Sequence, residues 1–133
     1  MLKYMLDTNI VIYVLKRRPA EVRDKFNSHA EQLCISTITL AELYHGAEKS
    51  SQAGHNMRRI EDFASRLIVL PYDAKAASHY GDIRAALEAD GNVIGVNDLH
   101  IAGHARSEGL ALVTNNEREF SRVEALRLEN WVA

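Results

Sequence analysis

Carboxylates recur in this chain where apolar runs end and helical patterns begin. Asp7 closes the run Tyr4-Met5-Leu6, Glu42 lies in the first turns of the helix after Leu33-Cys34-Ile35-Ser36, and Asp98 opens a later helix. Asn116 and Glu119 follow Leu110-Ala111-Leu112-Val113. In an open α/β sheet ligands bind beyond the carboxyl ends of the strands, so acids placed there stand where chemistry gathers. Capping is the competing use, and it stays open for each. Asp7 or Thr8 can cap the helix beginning near Asn9, Thr39-Leu40-Ala41-Glu42 matches a capping box, and Asn116-Glu117-Arg118-Glu119 has the pattern of a cap with a reciprocal acid. Asp98 is also a good N-cap residue, yet its spacing from Ile101, Ala102 and Ala105 puts it on the apolar stripe that must face the sheet. A coreward carboxylate is costly without a partner, and several together repel one another. A divalent cation relieves both costs. Oxygen-only ligands favour Mg²⁺ or Mn²⁺, with water and a substrate phosphate completing the shell. The matching chemistry is phosphodiester hydrolysis, in which the metal activates water and polarises the phosphate.

The elements that would position these acids follow from periodicity. Tyr4–Leu6, Leu33–Ser36, Leu67–Leu70 before Pro71, and Leu110–Val113 are short apolar runs of strand type, with Leu126-Arg127-Leu128 a weak edge strand. Helical patterns cover Thr8 to Arg18, a second helix led by Pro19 and carrying Val22 and Phe26, Ile38 to Ser50, and Gly54 to Ser65 with Met57, Ile60 and Ala64 inward. Ala76, Tyr80, Ile83 and Leu87 mark a long amphipathic helix ending near Gly91. A loop with Gly95 as a flexible point leads to the helix from Asp98 to Arg106, and a short turn covers Glu117 to Phe120. Strands alternating with helices predict an α/β fold in three layers, a mostly parallel sheet of four to five short strands with helices on both faces.

At 133 residues the chain suits one domain, spanning 1–133. Sixteen Lys and Arg against 18 Asp and Glu give a net charge of −2, so no global positive field gathers nucleic acid and any contact must be local. Lys16-Arg17-Arg18 and Arg58-Arg59 are the local basic runs, a pattern that solvated helix faces also produce. The apolar run Ile10 to Leu15 is too short for a membrane span and precedes its basic residues, the reverse of a signal peptide. With the single Cys34, this predicts a reducing cytoplasm and no membrane partner.

Four separated segments carry a resemblance. Leu6-Asp7-Thr8-Asn9, Ile35 to Leu43, Gly95 to Ala102, and Leu112 to Asn116 with Phe120 resemble the PIN-domain family, and within it the VapC toxins of bacterial toxin–antitoxin pairs. The resemblance spans essentially the whole chain. It implies a PIN-like fold and a Mg²⁺-dependent endoribonuclease, Mn²⁺ being an alternative ion, that cleaves RNA, transfer RNA foremost. It further implies a small VapB-type antitoxin as inhibitor and a homodimer or larger complex. Position by position, Asp7, Glu42 and Asp98 match the family's acidic metal-binding residues, with Thr8 and Thr114 as polar neighbours. Asn116 departs from the pattern where many members have a fourth aspartate, so a second metal would be held more weakly unless Glu119 supplies the carboxylate. An antitoxin segment laid along a groove by the acids, or the RNA, would meet a rim of Tyr13, Lys16 and Tyr44.

Other functions fit less well. An aspartyl-nucleophile phosphatase would also start from Asp7, but the companion acid two positions on is Asn9. A non-catalytic subunit of a DNA-bound complex, its acids serving only as caps, is the alternative of a different class. Of the six histidines, His100 and His104 are four apart without the H-E-x-x-H pattern, and His45 stands one turn from Glu42, where it could orient it; ordinary packing or surface roles are the expectation for all six.

Overall fold

The structure is a computed structural model and describes residues 1–132. Its centre is a five-stranded parallel sheet in the order β3-β2-β1-β4-β5, where β1 is Tyr4–Leu6, β2 Leu33–Ser36, β3 Ile68–Leu70, β4 Ala111–Val113 and β5 Leu128–Glu129. β1 occupies the middle, pairing Met5 with Cys34 on one side and Leu112 on the other. Parallel strands buried on both faces require continuous apolar side chains, and Met5, Leu6, Cys34, Ile35, Leu112 and Val113 are all fully buried.

Seven α-helices cover the sheet: α1 (Thr8–Lys16), α2 (Ala20–Ser28), α3 (Thr37–Glu48), α4 (Ala53–Ala64), α5 (Ala74–Ala89), α6 (Val96–Ser107) and the single turn α7 (Glu117–Phe120). Two core clusters lie on opposite faces. Leu6, Ile10, Val22, Leu43, Ile60 and Phe63 pack under α1 to α4, while Met5, Ile83, Leu99, Ile101, Leu112 and Phe120 pack under α5 and α6. Burial of each such aliphatic or aromatic side chain contributes roughly 1.5–3 kcal/mol. Gly103 allows α5 and α6 to approach closely, since a Cβ there would meet the Tyr80 backbone nitrogen at 2.8 Å.

Several expected boundaries move. α1 stops at Lys16 because Arg17 adopts a left-handed φ of 59°. In α4 Phe63, rather than the half-buried Ala64, reaches the core. Ala41 of α3 faces solvent although the N-terminal half of this helix is apolar over most of its circumference. The last strand begins at Leu128, not Leu126, because Ala125 takes a φ of 63° and Leu126 turns into the core beside Phe120. Gly95 has ordinary extended angles (φ −58°, ψ 150°) and needs no special freedom; Gly91, at φ 69°, is the glycine that turns the chain after α5.

Candidate metal centre

β1, β2 and β4 all run in one direction, so residues just past their ends share one rim of the sheet. Asp7 follows Leu6 directly and is 4 % exposed. Its Oδ1 accepts from the Ile10 backbone N–H at 2.9 Å, capping α1, while Oδ2 accepts from the Thr114 hydroxyl at 2.5 Å. Capping and site placement are therefore one arrangement for Asp7. Thr114 itself is fixed by the Asn116 backbone N–H, which donates to its Oγ1 at 2.9 Å.

The other acids are released from capping. Ser36, not Thr39, is the N-cap of α3: its hydroxyl accepts from the Ile38 N–H at 3.0 Å, so the expected capping box around Glu42 does not form. Glu42 is held across the site instead, with the Thr8 hydroxyl donating to Oε1 at 2.5 Å and the Asn97 amide donating to Oε2 at 3.3 Å. α6 begins at Val96 with Gly95 as its cap, leaving Asp98 in the first helical turn, half-buried and without a capping role. Asn116 precedes α7 but its side chain caps nothing.

The carboxylates repel one another at this rim. Asp98 is pushed up to about 6, first by burial and then by repulsion from Glu42, Asp7 and Glu119. Asp7 is raised above the ordinary carboxylate range, mainly by burial, with Glu42 adding to the effect against the hydrogen bonds from Thr114 and from the Ile10 and Asn9 backbone. Acids separated by up to 112 positions in the chain thus disfavour one another's charge at one rim. The donors are all oxygens, which suits a hard divalent ion. Among the described residues no group of three or more His, Cys, Asp or Glu side chains is placed to hold a metal ion together. Mg²⁺ usually takes one or two carboxylates and fills its remaining positions with water and substrate oxygen.

The expected rim is only partly realised. Lys16 lines a groove of about 470 Å³ beside Thr8 and Glu42. Tyr44 does not line it: two residues from Glu42 on one helix, it points to another side and packs against the α1–α4 cluster. Tyr13 does not line it either; its hydroxyl accepts from the Asn115 amide at 3.4 Å, next to the Thr114 that holds Asp7. His45 is exposed in a neighbouring groove with Lys49, so the residues that orient Glu42 are Thr8 and Asn97. Asn97 escaped the sequence reading because its partner lies 55 positions away; adjacency to Asp98 was the only signal.

Comparison with known proteins agrees with this geometry. The PIN domain, as a family, matches residues 4–126. The chain is 63 % identical over 132 residues to a Haemophilus influenzae protein named ribonuclease VapC2, covering 99 % of this chain and all of that one. It is 56 % identical over 131 residues to the tRNA(fMet)-specific endonuclease VapC of Shigella flexneri, covering 98 % and 99 % of the two chains. Among solved structures, DNA-bound VapBC from Salmonella typhimurium superposes with a TM-score of 0.95 at 51 % identity, over 99 % of this chain and all of that one. With the fold, the chain-long similarity and the converging acids in agreement, this protein belongs to the PIN-domain family, among its VapC-type members.

Proposed function

We propose that the protein is a Mg²⁺-dependent endoribonuclease toxin, cutting transfer RNA and held in check by a VapB-type antitoxin. The observation that carries this is the meeting of Asp7, Glu42, Asp98 and Glu119 at one rim, with Glu42, Asp98 and Glu119 all free of capping duty. Acids that only capped helices would have no reason to converge, which counts against a purely non-catalytic subunit. The relatives named as ribonucleases and as a tRNA(fMet)-specific endonuclease support the substrate class, and the VapBC complexes support the partner.

Asp7 and Asp98 would hold the ion, with Glu42 binding directly or through water. When bound, Mg²⁺ would lower the pKa of water and polarise the scissile phosphate. The chain's own contribution is positioning. Thr114 and the Ile10 N–H fix both oxygens of Asp7, and Thr8 and Asn97 fix both oxygens of Glu42, so neither carboxylate must reorganise when a cation arrives. Asn116 contributes a backbone N–H to Thr114 and no negative charge, so one tightly held ion is expected, with Glu119 as the acid nearest in role to a fourth ligand.

The test is cleavage of a transfer-RNA transcript by the free protein in Mg²⁺ and in EDTA, using wild type and Asp7→Asn. Cutting that requires Mg²⁺ and disappears in the variant, while circular dichroism remains native, supports the assignment. Equal cutting by the variant refutes it.

A further inference from the structure

The groove beside Thr8 and Glu42 does not end at the acids. It runs between α1, α3 and α4 past Leu15 to Lys16 and Arg59. There it meets a second pocket of about 130 Å³ that shares Leu15 and Arg59 and is also lined by Arg17, Arg66 and Asp62. The groove is thus acidic at Glu42 and basic at Lys16 and Arg59, and the adjoining pocket is basic as well, in a chain whose net charge is −2.

Local structure accounts for only part of this positive charge. The C-terminal ends of α1 and α4 both face the pocket, and each carries roughly half a negative charge. With the Asp62 carboxylate and Glu42, which lines the groove beside Lys16, the negative charge amounts to about three, against the four cations Lys16, Arg17, Arg59 and Arg66. A surplus of about one remains. Arg59 is engaged with the Leu15 carbonyl. Arg66 contacts Asp62 at 2.8 Å, but both side chains are about two-thirds exposed (65 % and 64 %), and an exposed pair of this kind is weak and readily exchanged for a better anion. Lys16 and Arg17 are exposed.

We infer that this basic pocket binds the phosphate backbone of the RNA strand flanking the cleaved bond, anchoring substrate that the acidic rim alone would repel. The inference rests on the ribonuclease reading and adds to it the place where the strand is held. A polyanion gains from releasing counterions at each neutralised phosphate, giving a salt slope of about −0.7 per contact for single strands. Guanidiniums suit phosphate by their paired donors. The spacing of charge along the groove then orients the strand, with the scissile bond at the acids and a neighbouring segment at Arg17 and Arg66.

The test measures binding of a fluorescein-labelled single-stranded RNA over a range of salt concentrations, using full-length protein carrying Asp98→Asn to stop cleavage. Arg17→Asn with Arg66→Gln is compared with Lys75→Gln with Arg122→Gln, which removes the same charge elsewhere; asparagine tolerates the left-handed backbone at position 17. The pocket pair is expected to weaken binding about tenfold and reduce the salt slope by about 1.4, the distant pair leaving the slope in place. Equal slopes for both pairs would overturn the proposal. So would unchanged RNA binding with loss of binding to a short poly-aspartate peptide, which would assign the pocket to a protein segment. With Asp98 intact, cleavage by the pocket variant at raised KM and preserved kcat supports the anchoring role. Failure of wild type to cleave would count against the ribonuclease reading alone, because the binding slopes are measured without catalysis.

Discussion

Two titratable groups of helix α6 are shifted by burial in opposite directions, because in each burial disfavours the charged form. Asp98, in its first turn, is pushed up to about 6 because burial and three other acids disfavour its charge, yet it is only half-buried at a solvent-reached rim. His104, farther along, is completely buried, sits 2.8 Å from the Ser36 hydroxyl through Nδ1, and has no partner for Nε2 among the described residues. Burial lowers its pKa, and the imidazole packs edge-on against Tyr72 at 5.5 Å. Asp98 has unfavourable charge that an incoming cation can relieve. His104 has a sealed environment that nothing reaches. A perturbed group marks a site when access and like-charged neighbours accompany the shift, and marks the core when they do not.

The largest separation between the two regions should appear in activity. Asp98→Asn and Asp7→Asn are expected to lower the RNA cleavage rate by about 100-fold or more at saturating Mg²⁺, with a native circular dichroism spectrum. His104→Ala should instead cost about 2–4 kcal/mol in urea unfolding through the cavity it leaves, while the folded fraction cleaves as wild type does. Were His104→Ala to abolish cleavage without loss of stability, the distinction would fail.

Acid pH sharpens the contrast. His104 is held below its ordinary value of 6.5, so the unfolded chain binds the proton first; its contribution is complete above about 6.5 and is lost as pH falls through the lowered native value. Asp98 has the reverse sign. Its native pKa lies above 3.8, so its cost to folding is absent near pH 4, grows as pH rises, and is complete above about 6. Metal-free Asp98→Asn should therefore be more stable than wild type by about 1–2 kcal/mol at pH 7, after allowance for solvent screening, the difference closing near pH 4. Urea titrations of both proteins in EDTA at the two pH values check this.

Asn97→Ala should give the smallest change, about a five- to tenfold loss in kcat/KM from a less ordered Glu42. Asn97→Asp would not rescue it, since it replaces the donor to Oε2 with a fifth negative charge.

The strands were legible because buried parallel strands need uninterrupted apolar runs, and Tyr4–Leu6 and Leu110–Val113 have them. Asp7 was legible for the same reason: its position at a strand end is fixed by the run before it. The capping roles were less so, since Thr39 and Ser36 both fit a helix start and only the three-dimensional pull of Thr8 and Asn97 on Glu42 decides between them. The Ser36–His104 contact joins residues 68 apart, and no local pattern encodes it.

Direct ion binding tests the central claim: calorimetric titration of Mn²⁺ into the RNA-free protein at pH 7, beside the Asp7→Asn, Asp98→Asn double variant. One saturable site in the wild type and none in the double variant is the predicted result. Equal binding by both, or none by the wild type, would contradict the assignment of these carboxylates to a metal.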